Sequence, residues 1–350
     1  MKYYLMILTA LVFFLGSCKS EAVNLEDMEN ETASFEIEKD NDSLVTPNLE
    51  TVSQKFDVLL NKDTILVGEQ GTKLFLKSNT FSDTIKKVYI ELKEVFSIHD
   101  MIANGLTTFT DDGNVLITQG MIYLSITADT GEEVNIQNPI QIDIPSENKD
   151  LEMLLYEGKR NEDGNVVWIN EPREFVKPKQ KTESTIPVAL QPDTTIQKEP
   201  SPIINDYYDM VYSFSTRSMG WHNIDKPFYS TDFIECSLQS DDLFFLNYVV
   251  YKDFTMIYNF VENEIKQTTP WENKSIGNKI IADTPFYFVR IRRVSYEDDR
   301  LLFYIGEHKV NQENNIIEAN DFDTLTVQKM EERLLEVFGG DVREEYSPSL

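Results

Sequence analysis

Residues of the kinds that build catalytic and metal centres are scarce in this sequence. Its 350 residues include two cysteines and three histidines. The histidines, His99, His222 and His308, lie far apart, whereas the histidine ligands of a metal are commonly closely spaced. Neither the Gly-x-Ser-x-Gly motif of serine hydrolases nor a glycine-rich phosphate-binding loop occurs. We therefore expect no metal, no cofactor and no enzymatic activity.

Basic residues are also few relative to acidic ones. The chain has 32 lysines and arginines against 60 aspartates and glutamates, which gives a formal net charge of −28 at pH 7. This balance excludes nucleic acid as a partner, because phosphates require a basic surface. It also disfavours binding to anionic lipid headgroups. With 41% hydrophobic residues the chain can bury a core, and its length suggests two domains.

The first 21 residues carry the clearest functional signal. The cationic start Met1-Lys2 precedes an apolar run from Leu5 to Leu15, which is shorter than the roughly 20 residues that cross a bilayer. Leu15-Gly16-Ser17-Cys18 then resembles a lipobox, the cleavage site of bacterial lipoproteins. The resemblance implies that Cys18 becomes the N-terminus and carries several acyl chains, which together make a stable anchor. The alternatives are an ordinary secretory signal with a chance cysteine, or an uncleaved anchor.

Lipidation of Cys18 would leave Cys236 as the remaining thiol. Cys236 lies in an alternating apolar run, 233–238, which predicts a buried and inert side chain. Arg290, Arg292 and Arg293 stand out in an acidic chain. We expect them to pair with the protein's own acids, and binding of an anionic ligand is the alternative.

Composition and periodicity predict a mainly β protein with two folded parts. Alternating runs such as 88–93, 122–127 and 140–144 are typical of half-buried strands, and the apolar residues at helical spacing after residue 326 predict a terminal helix. The predicted segments are a lipoprotein signal peptide (1–17), an acidic disordered tether (18–51), a β module with an appended hairpin (52–169), a proline-rich linker (170–204) and a β-rich domain with a C-terminal helix (205–345). Strand spacing makes the module at 52–169 a sandwich or a barrel.

One resemblance covers about ninety residues of the first folded part. It is carried by residues 71–76, 79–81, 90–92, 100–102 and 118–124, which follow one another in order. Together they resemble a module of Bacteroidota surface and secreted proteins, distantly similar to the β-sandwich of ankyrins and netrin receptors. The resemblance implies a β-sandwich for the module at 52–169. Some members of that sandwich family cleave themselves at a His-Phe-Ser site. Here Val95 precedes Phe96-Ser97, so the resemblance does not imply self-cleavage.

The segment 219–228 is the least regular stretch of the chain. It mixes an indole, an imidazole, an amide and a carboxylate with no hydrophobic period, and it resembles a segment that follows the module in several relatives. One interpretation is a binding loop in which Trp221 is a platform and Asn223 and Asp225 are polar contacts. The favoured interpretation is a structural corner, with a buried Trp221 whose ring N–H is satisfied and with Asx turns at Asn223 and Asp225.

These features predict a membrane-anchored extracytoplasmic lipoprotein that acts as a non-enzymatic binding or scaffold protein of the cell envelope. Its partners would be the membrane, through lipid on Cys18, and an envelope or extracellular protein or glycan. Acidic residues soon after the lipidated cysteine accompany surface export in Bacteroidota-type lipoproteins, which favours an outer-membrane, cell-surface location over a periplasm-facing one. The alternative function is a glycan-handling enzyme or carbohydrate-binding protein.

Overall fold

The structure of the protein is a computed structural model. It describes residues 53–146, 150–160, 166–169, 177–180, 210–230, 232–239, 245–260, 278–295 and 298–345. The predicted signal peptide and tether, with Cys18, therefore lie outside the described residues, as does most of the predicted linker. Within the described ranges no helix is long and apolar enough to cross a membrane.

The described residues are mainly β, as the alternating runs predict. The strands are β1 (Gln54–Leu59), β2 (Thr64–Val67), β3 (Lys73–Leu76), β4 (Lys87–Val95), β5 (Leu116–Ala128), β6 (Ile140–Ser146), β7 (Leu154–Arg160), β8 (Val166–Trp168), β9 (Lys177–Gln180), β10 (Met210–Thr216), β11 (Gly220–Pro227), β12 (Phe233–Glu235), β13 (Ser237–Gln239), β14 (Leu246–Tyr251), β15 (Met256–Asn259), β16 (Lys279–Ile281), β17 (Phe286–Ser295), β18 (Asp298–His308), β19 (Ile316–Glu318) and β20 (Asp323–Thr326). The helices are α1 (Ile98–Ala103), α2 (Val327–Phe338) and α3 (Val342–Glu345), with a short 3-10 turn at Lys252–Phe254.

Two sheets form an N-terminal sandwich. The front sheet has the order β1-β4-β5-β11-β7-β8, and the back sheet has the order β2-β3-β6-β10-β9. Alternation explains the packing, since β1 buries every second residue and leaves the others exposed. The inward residues of both sheets form one core, which includes Phe56, Leu74, Ile90, Ile142 and Phe214.

The other face of the front sheet packs on a third, C-terminal sheet with the order β15-β14-β17-β18-β20. Helices α1 and α2 contribute to the same core. Helix α2 begins after the N-cap Thr326 and buries Met330, Leu334 and Phe338, so the predicted amphipathic helix and its packing face are confirmed. The opposite face of the C-terminal sheet is covered by two small ribbons, β12-β16 and the parallel pair β13-β19.

The structure differs from the predicted division at residue 205. Strands β10 and β11 follow the predicted linker in sequence, yet β10 pairs with β6 in the back sheet and β11 lies between β5 and β7 in the front sheet. Residues 210–227 therefore complete the N-terminal sandwich and do not open a separate domain. The physical reason is that β5 and β7 both offer unpaired backbone groups, which a later strand satisfies. Where the linker is described, at 177–180, it forms β9 and pairs with β10.

Candidate functional site at the junction of two sheets

The irregular segment 219–228 is an interior strand, not a loop. Trp221, Asn223 and Asp225 alternate along β11 and face the C-terminal sheet, while Ile224 belongs to the sandwich core. Trp221 is 5% exposed, and Asn223 and Asp225 are completely buried. The Asx turns expected at Asn223 and Asp225 are wrong, because both residues lie within paired strand backbone.

A β-bulge in β5 shapes this part of the junction. Asn223 pairs with Met121 and Asp225 pairs with Thr118, so two residues of β5 oppose one residue of β11. Gly120, one of those two, has φ +119°, which other residues rarely adopt. A Cβ on Gly120 would also lie 2.3 Å from the ring of Phe96. Glycine is therefore required by backbone conformation and by space.

The bulge and β11 build a buried polar network. The Thr118 hydroxyl donates to Asn223 Oδ1 (3.0 Å) and accepts from the Gly120 amide (3.0 Å). Asn223 Nδ2 donates in turn to Asp225 Oδ2. Among the described residues Asp225 Oδ1 has no hydrogen-bond partner, and neither has the buried Oε1 of the neighbouring Gln119.

Burial controls the charge of Asp225. It raises the pKa of this carboxyl well above its ordinary value, and the polar groups of Thr118 and Asn223 beside it only partly oppose that rise. The neutral, protonated acid is the form favoured in the folded protein. A neutral carboxylic acid also explains how Asp225 is accommodated in an interface whose other members are largely apolar.

The same network is bonded to the C-terminal sheet. The Thr118 amide donates to the Thr255 carbonyl (3.3 Å), and the Thr255 hydroxyl donates to the Thr118 carbonyl (2.7 Å). Thr255 lies between β14 and β15 with φ +49°. A second link joins Thr108 and Ile257, where the Thr108 amide donates to the Ile257 carbonyl (2.6 Å) and the Ile257 amide donates to the Thr108 hydroxyl (2.9 Å). The buried polar network thus reaches the C-terminal sheet through Thr118, and Thr108 adds a second link between the two halves.

Trp221 fills the apolar part of this junction. Its ring packs at a tilt against the ring of Tyr123, and the two ring centroids lie 5.3 Å apart. Trp221 pairs with Gly158 of β7, where a larger residue would place its Cβ against the Trp221 side chain. The expectation of a buried tryptophan is confirmed. The expectation of a satisfied ring N–H is not, since Nε1 is buried without a partner among the described residues.

Sequence reasoning missed Thr118, Gln119 and Thr255 as members of this cluster. One signal was available, because the isolated Gly120 within an apolar strand pattern is typical of a bulge. Nothing local signalled Thr255, which reaches Thr118 only through the tertiary structure.

The remaining polar candidates serve the core of the C-terminal half. Arg290 is completely buried against the rings of Phe245 and Phe322, and it donates to Asn247 Oδ1 (3.0 Å) and to the Ala319 carbonyl (2.8 Å). Cys236 is buried as predicted, and burial raises its thiol pKa to about 11, which disfavours the reactive thiolate.

His308 and Tyr304 share a hydrogen bond between Nε2 and the phenol oxygen (2.8 Å). Burial lowers the pKa of His308, so its neutral form is favoured. No group of three or more histidine, cysteine, aspartate or glutamate side chains is arranged to hold a metal within the described ranges.

Comparison with protein-family models, with curated proteins and with solved structures gave no match to this chain. The fold defines a mainly β protein in which a two-sheet sandwich is bonded to a third sheet through a buried polar junction.

Proposed function

We propose that this protein is a lipid-anchored extracytoplasmic protein that acts as a non-enzymatic binding or scaffold protein of the cell envelope. The observation that carries the proposal is Leu15-Gly16-Ser17-Cys18 directly after a short apolar run. Lipid on Cys18 would hold the protein at the outer membrane, with the folded body displayed at the cell surface. Because the chain carries a net charge of −28, the acyl chains would supply the attachment without help from anionic lipid headgroups.

The junction supports a scaffold role. Trp221, Asn223 and Asp225, the side chains best suited to a recognition site, are buried where two sheets meet, and Thr118, the partner of Asn223, bonds to Thr255 of the other sheet. A body of this kind presents its partner with a fixed outer surface, since the two halves are linked by backbone as well as side-chain hydrogen bonds. We propose an envelope or extracellular protein or glycan as that partner.

The anchor is tested by palmitate labelling of cells that express the wild type, Cys18→Ala or Cys236→Ala. We expect label on the wild type and on Cys236→Ala, whose thiol is buried in the core, and none on Cys18→Ala. Cys18→Ala should also remain uncut or leave the membrane fraction. Equal labelling of the wild type and Cys18→Ala would refute the lipoprotein proposal.

The partner is tested by crosslinking intact cells and purifying the anchored protein. A specific envelope protein or glycan that is recovered with wild type, and is lost when the protein is released from the membrane by Cys18→Ala, would support the scaffold proposal. Turnover of a glycan by the purified protein would instead establish an enzyme and overturn it.

A further inference from the structure

The last described residues return to the N-terminal sandwich. Helix α2 ends at Phe338, and the chain then passes Gly339-Gly340 and forms α3, which packs on β5 and β6. The Val342 amide donates to the Phe96 carbonyl (2.8 Å), and the Val342 side chain is 1% exposed within the junction core. A segment at the C-terminal end is thus docked on residues some 200 to 270 positions earlier in the chain.

Arg343, which is 4% exposed, makes the main side-chain hydrogen bonds of this segment. Its Nε donates to both carboxylate oxygens of Asp341 (2.9 and 3.1 Å), and Nη2 donates to Oδ2 (2.5 Å). Nη1 donates to the Gln70 carbonyl (2.9 Å). The guanidinium also lies 3.9 Å from the centre of the Phe96 ring. The charge is therefore neutralised by a neighbour on the same segment, and the remaining contacts reach across to the sandwich.

The turn that receives Arg343 is held from its other side by Glu94 of the front sheet. The Glu94 carboxylate, 1% exposed, accepts from the amides of Gln70 (2.8 Å) and Thr72 (2.9 Å) and from Gln54 Nε2 (2.8 Å). The turn between β2 and β3 is thus hydrogen-bonded to Glu94 of the front sheet on one side and to Arg343 on the other. Loss of one set of contacts should make the turn more mobile locally, while the other set keeps it in place.

We propose that residues 341–345 form a C-terminal strap that fastens the C-terminal half to the N-terminal sandwich and that opens as a unit before the rest of the fold. The strap is a one-turn helix outside the paired strands and follows two glycines, so it can open without breaking a sheet. Its release uncovers the apolar side chain of Val342 and the ring of Phe96 on which Arg343 lies, and it frees the Gln70 carbonyl. Opening of residues 341–345 is in this way linked to the conformation of the β2–β3 turn.

The test is hydrogen exchange followed by mass spectrometry on the full purified chain, with Arg343→Ala and Asp341→Asn as strap variants. Arg333→Ala is the matched control, because Arg333 is half-exposed and lies 3.8 Å from Asp323 on the surface of the C-terminal half. Arg343→Ala should speed exchange in the peptide covering 341–345 by about tenfold or more, since several charge-assisted hydrogen bonds are lost together. Exchange in the peptide covering 68–72 should increase by a smaller factor, because Glu94 still holds the Gln70 and Thr72 amides. Exchange in β14 and β17 should stay unchanged.

Asp341→Asn should produce a smaller increase in the same two peptides, because it removes the charge partner and keeps the packing. It also preserves the test if Arg343→Ala does not fold. Arg333→Ala should match the wild type. Unchanged exchange at 341–345 in both strap variants would overturn the proposal. An equal increase in every sheet would overturn it too, because the segment would then open only with the whole molecule.

Discussion

Replacing Trp221 with alanine removes the largest side chain of β11 from the interface between the front sheet and the C-terminal sheet. Trp221 is 5% exposed and packs on Tyr123 and across Gly158. Core substitutions of tryptophan by alanine cost about 3–5 kcal/mol, from lost transfer free energy and the cavity that remains. The variant should therefore lose a large share of a stability that is typically about 5–15 kcal/mol.

One term acts in the opposite direction. The buried Trp221 Nε1 has no partner among the described residues, and an unsatisfied buried N–H costs about 1–3 kcal/mol in the wild type. Its removal offsets part of the cavity term, and subtracting the middle of one range from the middle of the other leaves an expected net loss of about 2 kcal/mol. Trp221→Phe separates the two terms, because it keeps most of the ring and deletes the N–H. We expect Trp221→Phe to change the free energy of unfolding by about 1 kcal/mol or less.

The measurement is chemical denaturation of the purified full chain, followed by far-ultraviolet circular dichroism. Because Trp221 lies at the junction, the front sheet and the C-terminal sheet should both be destabilised, and the midpoint should fall clearly for Trp221→Ala. If Trp221→Ala unfolds at the wild-type midpoint yet loses a partner captured by the wild type, the structural reasoning is refuted and the segment is a recognition site.

Two further predictions concern the same junction. Asp225→Asn should leave stability within about 1 kcal/mol of the wild type at acidic pH, since the favoured buried form is already neutral. The pKa of Asp225 is raised in the folded state, so its contribution to stability is fully present below the unfolded pKa and is lost as the pH rises toward the folded pKa. The free energy of unfolding of Asp225→Asn should therefore increase relative to that of the wild type as the pH is raised in a denaturation series. A difference that does not change with pH would contradict a raised pKa. Gly120→Ala should lower the free energy of unfolding by about 3 kcal/mol or more in the same denaturation assay, because Gly120 has φ +119° and an added Cβ would lie 2.3 Å from Phe96. The control Gly131→Ala, at φ +83° but with open space around the added Cβ, should cost only about 1 kcal/mol. Equal losses for the two glycine variants would show that the Phe96 contact carries no cost.

The class of fold and several of its elements follow from local sequence pattern. Alternation at 88–93, 122–127 and 140–144 places β4, β5 and β6, and the spacing of Met330, Leu334 and Phe338 places α2. These predictions succeed because side-chain periodicity depends on backbone geometry within a few residues. The burial of Cys236 follows for the same reason, from its position in an alternating run.

The position of β11 could not be predicted in this way. Asn223 and Asp225 occupy alternate positions with Trp221, so the segment shows no apolar period and its sequence predicts a loop or corner where the structure has a strand. Polar side chains are buried there because Thr118, on a bulge about a hundred residues earlier, supplies a hydrogen bond to Asn223.

Sequence alone thus determined the β character of the chain and its amphipathic helix α2, and it contains the Leu15-Gly16-Ser17-Cys18 motif on which the proposed anchor rests. Only the tertiary structure decided that residues 210–227 complete the N-terminal sandwich, that Thr118 and Thr255 bond two sheets together, and that Arg343 returns to the β2–β3 turn. The reason is physical: periodicity is set by neighbours along the chain, whereas strand partners and buried hydrogen bonds are set by residues that meet only when the whole chain folds.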